Sequence, residues 1–102
     1  MARITEDEVA LAVLQILASR PSGRASVRIL RSSLPNYLTL SAEDRIDSDT
    51  RTNEEIWEQQ VRNLKSHKKT EGNIFQQGYV VSVGRGVWQV TEAGKRRIAK
   101  AA

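Results

Sequence analysis

The sequence predicts a mixed α+β domain spanning residues 1–102, with three main helices, a two-stranded hairpin and a short C-terminal helix. Three stretches carry that expectation. Residues 53–69, NEEIWEQQVRNLKSHKK, place Ile56, Trp57, Val61 and Leu64 on one side of a helix at 100° per residue. TEDEVALAVLQILA, from Thr5, has a capping box followed by an apolar helical face. GYVVSVGRGVWQV, residues 78–90, reads as two strands about a tight turn. A lone hairpin is marginal in water and must pack on the helices.

Thr5 and Glu8 have capping-box spacing, and Ile4 and Val9 have that of a hydrophobic staple. The first helix therefore covers residues 6–19, with Val9, Val13, Ile16 and Leu17 inward. Leu14 and Leu11 extend round its side and back, so two neighbours cover it or Leu11 helps form a dimer surface. Pro21, Ser22 and Gly23 end this helix. Residues 24–26 suit a very short extended piece. A second helix starts near Ser26 and stops near Leu34, before Pro35, with Val27, Ile29, Leu30 and Leu34 apolar. Arg28 and Arg31 are expected to be solvated or weakly paired.

Residues 35–51 are anchored by Tyr37, Leu38 and Leu40. Ser41 and Asp44 have capping-box spacing for a short turn, and residues 47–51 read as a loop. Asp44, Asp47 and Asp49 lack the spacing, central glycine and terminal glutamate of a calcium loop. They are expected to solvate this connection. The third helix, residues 53–69, opens on a Thr52/Glu55 capping box, with Asn53 as a second cap. In the first strand Tyr79, Val81 and Val83 share one side, and Val80 and Ser82 the other. Trp88 and Val90 lie together on the return strand. Thr91 caps the last helix, Gly94 weakens its start, and Ile98 is its clearest buried contact.

Composition bounds the function. A 102-residue chain buries a modest core. With 39% hydrophobic and 27% charged residues at structured spacings, wholesale disorder is excluded. The net charge of +4 permits an anionic partner. Without cysteine there is no disulfide, thiolate metal site or cysteine nucleophile, which suits a reducing cytoplasm. No apolar run is long enough to span a membrane. His67 has neither a second histidine nor a catalytic partner, and no carboxylate pair has glycosidase or nuclease spacing. The expectation is a cytoplasmic protein that is not an enzyme, with no cofactor, no metal and no membrane partner.

The order helix, helix, short connection, helix, hairpin, helix is that of a winged helix-turn-helix. In that arrangement the third helix enters a duplex groove and the hairpin is the wing. Arg62 and Ser66 point away from the apolar stripe of residues 53–69. Gln59, Arg62, Asn63 and Ser66 are the candidate base readers, since arginine pairs with guanine and Gln or Asn with adenine. Thr52 and Asn53, at the helix start, are candidate phosphate holders. Lys65, Lys68 and Lys69 suit phosphates better than bases. Arg85, between two glycines, suits a narrow minor groove. Glu55 and Glu58 oppose DNA unless paired or used as acceptors. Trp57 and Trp88 fit the core better than a base-stacking platform.

TEDEVALAVLQILA, WEQQVRNLKSHKK and GYVVSVGRGVWQVTEAGKR together resemble the winged-helix domains at the N-terminus of Mrr-type restriction proteins. The resemblance covers nearly the whole chain. It implies a double-stranded DNA-binding module beside a separate nuclease domain, with recognition carried by Gln59, Arg62, Asn63, Ser66 and Arg85. Nothing in the chain resembles the nuclease. The expectation is therefore a small transcriptional regulator or the recognition part of a restriction-related protein. The alternative is a protein–protein interaction or homodimerisation module on the same scaffold.

Overall fold

Thr5 starts the fold as its spacing predicts. Its hydroxyl accepts from the Glu8 N–H at 3.1 Å, and the Glu8 carboxylate accepts from the Thr5 N–H at 3.0 Å. The computed structural model describes residues 4–42, 44, 45 and 54–101, with side chains as far as Ala99. It contains α1 (Glu6–Ser19), β1 (Arg24–Ser26), α2 (Val27–Ser33), a 3-10 turn (Leu34–Asn36), α3 (Ile56–Ser66), β2 (Val80–Gly84), β3 (Val87–Val90) and α4 (Glu92–Ala101). The architecture is α+β.

Helix α1 is central. It touches α2, α3, α4 and β3, which explains why its apolar residues run round more than one face. Val9, Val13, Leu14, Ile16 and Leu17 are all buried. Leu11 is half-buried and lines a cleft of about 250 Å³ with Gly72, Tyr79 and Arg97. Part of this side chain is therefore covered and part faces the cleft. Around α1 the core is completed by Leu30, Leu34, Trp57, Val61, Leu64, Val80, Trp88 and Val90.

The described sheet has three antiparallel strands in the order β1-β3-β2, one more than the expected hairpin. Ala25 pairs with Trp88, and Val80 with Val90. The added strand is the short piece at residues 24–26, recruited by β3 from more than 60 residues away. Val80 is the inward residue of β2, whereas Val81 and Val83 stand 42% and 40% exposed. Trp88 is buried, with the Phe75 ring edge-on at 5.0 Å.

Two segments differ from expectation. Helix α3 spans Ile56–Ser66 rather than residues 53–69, with Glu55 as its N-cap and His67 as its C-cap. The Glu58 carboxylate accepts from the Glu55 N–H at 2.9 Å, so the box is formed by two glutamates. Asp44 is 1% exposed and does not solvate a loop. Its carboxylate accepts from the Ile4 N–H at 2.9 Å, the Ser41 N–H at 2.8 Å and the Ser41 hydroxyl at 3.1 Å. It ties the entry to α1 to a segment 40 residues on. The physical reason is that three donors replace the water a buried carboxylate loses. Asp47 and Asp49 lie outside the described residues.

Candidate nucleic-acid interface

The apolar stripe of α3 decides what its other side shows. Trp57, Val61 and Leu64 are buried against the rest of the core, as their spacing predicts, and Ile56 is half-buried. Asn73 fixes the end of the helix, donating from its side chain to the Leu64 carbonyl at 2.8 Å. It also accepts from the Phe75 N–H at 2.7 Å. His67 lies 3.0 Å from the Glu6 carboxylate, which docks the C-terminal end of α3 on the start of α1. The last turn and the residues after it project Lys65, Ser66, Lys68 and Lys69, all exposed.

Two recesses flank this basic end. One, of about 550 Å³, lies between α2, α3 and the hairpin turn. Val27, Arg31, Arg62, Lys65, Ser66, Lys68 and Gly86 line it, with Glu54 and Trp88. The other, of about 350 Å³, runs between Lys65, Lys68 and Lys69 and the Phe75, Val80, Val81 and Ser82 side of the hairpin. Lys65 and Lys68 are common to both. The hairpin turn is held against α2, because the Gly86 carbonyl accepts from the Val27 N–H at 2.8 Å. Gly86 has φ +68°, which a residue with a side chain adopts only at a cost. Arg85 beside it is exposed, with no ion pair among the described residues.

The candidate readers divide into two groups. Lys65, Ser66, Lys69 and Arg85 are exposed, whereas Gln59, Arg62 and Asn63 are half-buried. Thr52 and Asn53 lie outside the described residues. Arg62 is engaged: its Nε donates to Glu54 Oε2 at 3.3 Å and its Nη2 to Glu54 Oε1 at 3.1 Å. Gln59 too has a partner. The glutamates that opposed a DNA contact are also occupied. Glu58 caps α3, and Glu55 accepts from the Trp57 indole N–H at 2.7 Å and pairs with Arg45 at 3.5 Å.

Sequence reasoning missed Arg31 and Glu54. Arg31, expected to be solvated or weakly paired, is half-buried and lines the larger recess. Glu54 gave no signal, because its burial depends on pairing with Arg62 eight residues later. Trp57 and Trp88 sit in the core, and the Trp88 indole N–H has no partner among the described residues. No described helix is long and apolar enough to cross a membrane. No family model, curated protein or solved structure matches the chain.

Proposed function

We propose that this chain is a double-stranded DNA-binding module with a winged-helix arrangement, in which α3 approaches the duplex and the β2–β3 hairpin is the wing. One observation carries the reading. Arg31 from α2, Lys65 from the last turn of α3, Lys68 just after it, and the turn glycine beside Arg85 all border one recess. A duplex presents phosphates along both sides of a groove, and cations from separate elements on one surface match that pattern. The element order α1-β1-α2-α3-β2-β3-α4 supports it as well.

The exposed cations gather at the C-terminal end of α3, so phosphates supply most of the affinity. Ser66 and, after side-chain movement, Gln59 and Asn63 are the base-edge contacts. The role follows as either a small regulator or the recognition part of a restriction-related protein of the Mrr type. Selection from a random duplex pool, repeated with methylated DNA, separates a preferred sequence from a preferred modification. Absence of low-salt duplex binding by the folded protein contradicts the proposal.

A second reading has its own observation. Val81 and Val83 are exposed on β2, which is an edge of the described sheet. Such an edge can pair with another chain. In that case the protein is an interaction or homodimerisation module. Sedimentation showing a monomer at all concentrations removes the homodimer.

A further inference from the structure

The smaller recess beside the basic end of α3 opens onto a sheet edge. It holds about 350 Å³, with Phe75, Val80 and Val81 on one side and Lys65, Lys68 and Lys69 on the other. No carboxylate is among its described lining, and the three lysines have no ion pair among the described residues. Val80 is covered, but β2 is exposed from Val81 to Gly84 and has no strand on its outer side in the described sheet. The ladder fixes which backbone groups face out. The Thr91 N–H donates to the Tyr79 carbonyl, Val80 lies opposite Val90, and Val81 lies opposite Gln89. Alternation along an antiparallel ladder then turns the Val81 N–H and C=O toward β3 and those of Ser82 toward the open side.

We propose that this edge takes an extended acidic segment of another protein, which adds to β2 as a fourth strand and sets its carboxylates on Lys65, Lys68 and Lys69. Backbone pairing at Ser82 supplies the grip, and the lysines choose the partner. A second copy of the chain fits less well, because two β2 edges side by side bring two sets of these lysines to one face. Side chains alternate along a strand. Every second side chain of the incoming segment stands on the Val80 and Ser82 side of the sheet, where the helices and the lysines are. The others continue the exposed Val81 and Val83 side. The fitting sequence therefore alternates Asp or Glu with β-branched apolar residues. The proposal rests on the second reading, whose exposed edge it fills, and not on DNA binding. Lys65 and Lys68 border both recesses, so a duplex and this strand are alternative occupants.

The probe is a capped peptide of about seven residues that alternates glutamate and valine. Fluorescence anisotropy follows its binding to the whole chain, and amide hydrogen exchange reads the backbone. At saturation the Ser82 amide is expected to exchange about 10-fold more slowly, while the Val81 amide, already bonded to β3, changes little. Lys68→Glu with Lys69→Glu is expected to weaken the peptide about 10-fold, with folding checked by circular dichroism. A lysine–valine peptide is expected not to bind because of its charge, and a fully N-methylated glutamate–valine peptide because it lacks donors. No binding at about 1 mM peptide, equal binding of either control, or binding without Ser82 protection overturns the proposal. Equal affinity of the double variant does the same. If that variant does not fold, the parent decides, and a peptide affinity independent of salt overturns the proposal. A concentration-dependent dimer in sedimentation, without peptide binding, gives the edge to a second copy and overturns it while keeping the second reading. No readout involves a duplex, so failure here leaves the DNA-binding proposal standing, and loss of duplex binding leaves this one.

Discussion

Replacing Gly94 with alanine is predicted to destabilise the protein, although helix propensity argues the opposite. Gly94 lies in the first turn of α4, where glycine costs a helix about 1 kcal/mol relative to alanine. Its surroundings reverse the sign. A Cβ at Gly94 would overlap the Tyr79 carbonyl oxygen and come within 2.8 Å of Val90 Cγ2. That carbonyl is not free to move. It accepts from the Thr91 N–H at 3.0 Å, and the Thr91 hydroxyl donates to the neighbouring Gly78 carbonyl at 2.6 Å. The same hydroxyl accepts from the Gly94 N–H at 3.1 Å, so the helix start and the strand entry are one hydrogen-bonded unit. Relieving the overlap breaks a half-buried backbone bond, about 1–3 kcal/mol, and overpacks Val90, about 1–3 kcal/mol. Against the gain of about 1 kcal/mol in propensity, the net loss is about 1–5 kcal/mol. Urea unfolding followed by tryptophan fluorescence measures it, with a fall in melting temperature of about 4–8 °C for each kcal/mol lost. An equally or more stable variant would refute the close approach of α4 to Tyr79 and to Val90 of β3.

Three further outcomes follow from the same geometry. Asp44→Ala leaves the Ile4 and Ser41 amides without their buried acceptor and is expected to cost about 3–4 kcal/mol in urea unfolding. Asp44→Asn, which keeps one acceptor oxygen, should cost less. Arg62→Ala strands the Glu54 carboxylate. The expected loss is about 2–3 kcal/mol, less than for a fully buried pair because the Arg62 side chain is 32% exposed. This substitution therefore confounds binding with stability and is a poor probe of DNA contact by itself. Lys65→Ala with Lys68→Ala should leave stability within about 0.5 kcal/mol and flatten the salt slope of duplex binding by about 1.8.

What the sequence revealed depended on how local each cause was. The Thr5–Glu8 box and the Thr91 cap are satisfied within three residues, and both elements begin where expected. The stripe of α3 needs only the helical period, so Trp57, Val61 and Leu64 were recognisable as core. Strand alternation separated Val80 from Val81 and Val83 but could not say which side faces inward, because that depends on where the sheet meets α1. Strand β1 was visible only as a short extended piece, since its partner is β3. The capping box of Ser41 and Asp44 is local and forms as its spacing predicts, whereas the burial of Asp44 is not legible, because the Ile4 amide that helps hold it is 40 residues away. In the candidate site, the exposed lysines and Arg85 were legible from composition and turn chemistry. The loss of Arg62 to an internal partner was not, since a residue pointing away from an apolar stripe can still meet its own chain.

The most direct measurement is an amide chemical-shift titration of the isotope-labelled protein with a short duplex. The account predicts that the largest changes fall together on Lys65, Ser66, Lys68, Lys69, Arg85 and Gly86, with α4 and the Leu11 side of α1 unmoved. Changes centred on α4 or on Leu11, or none at low salt, would contradict it.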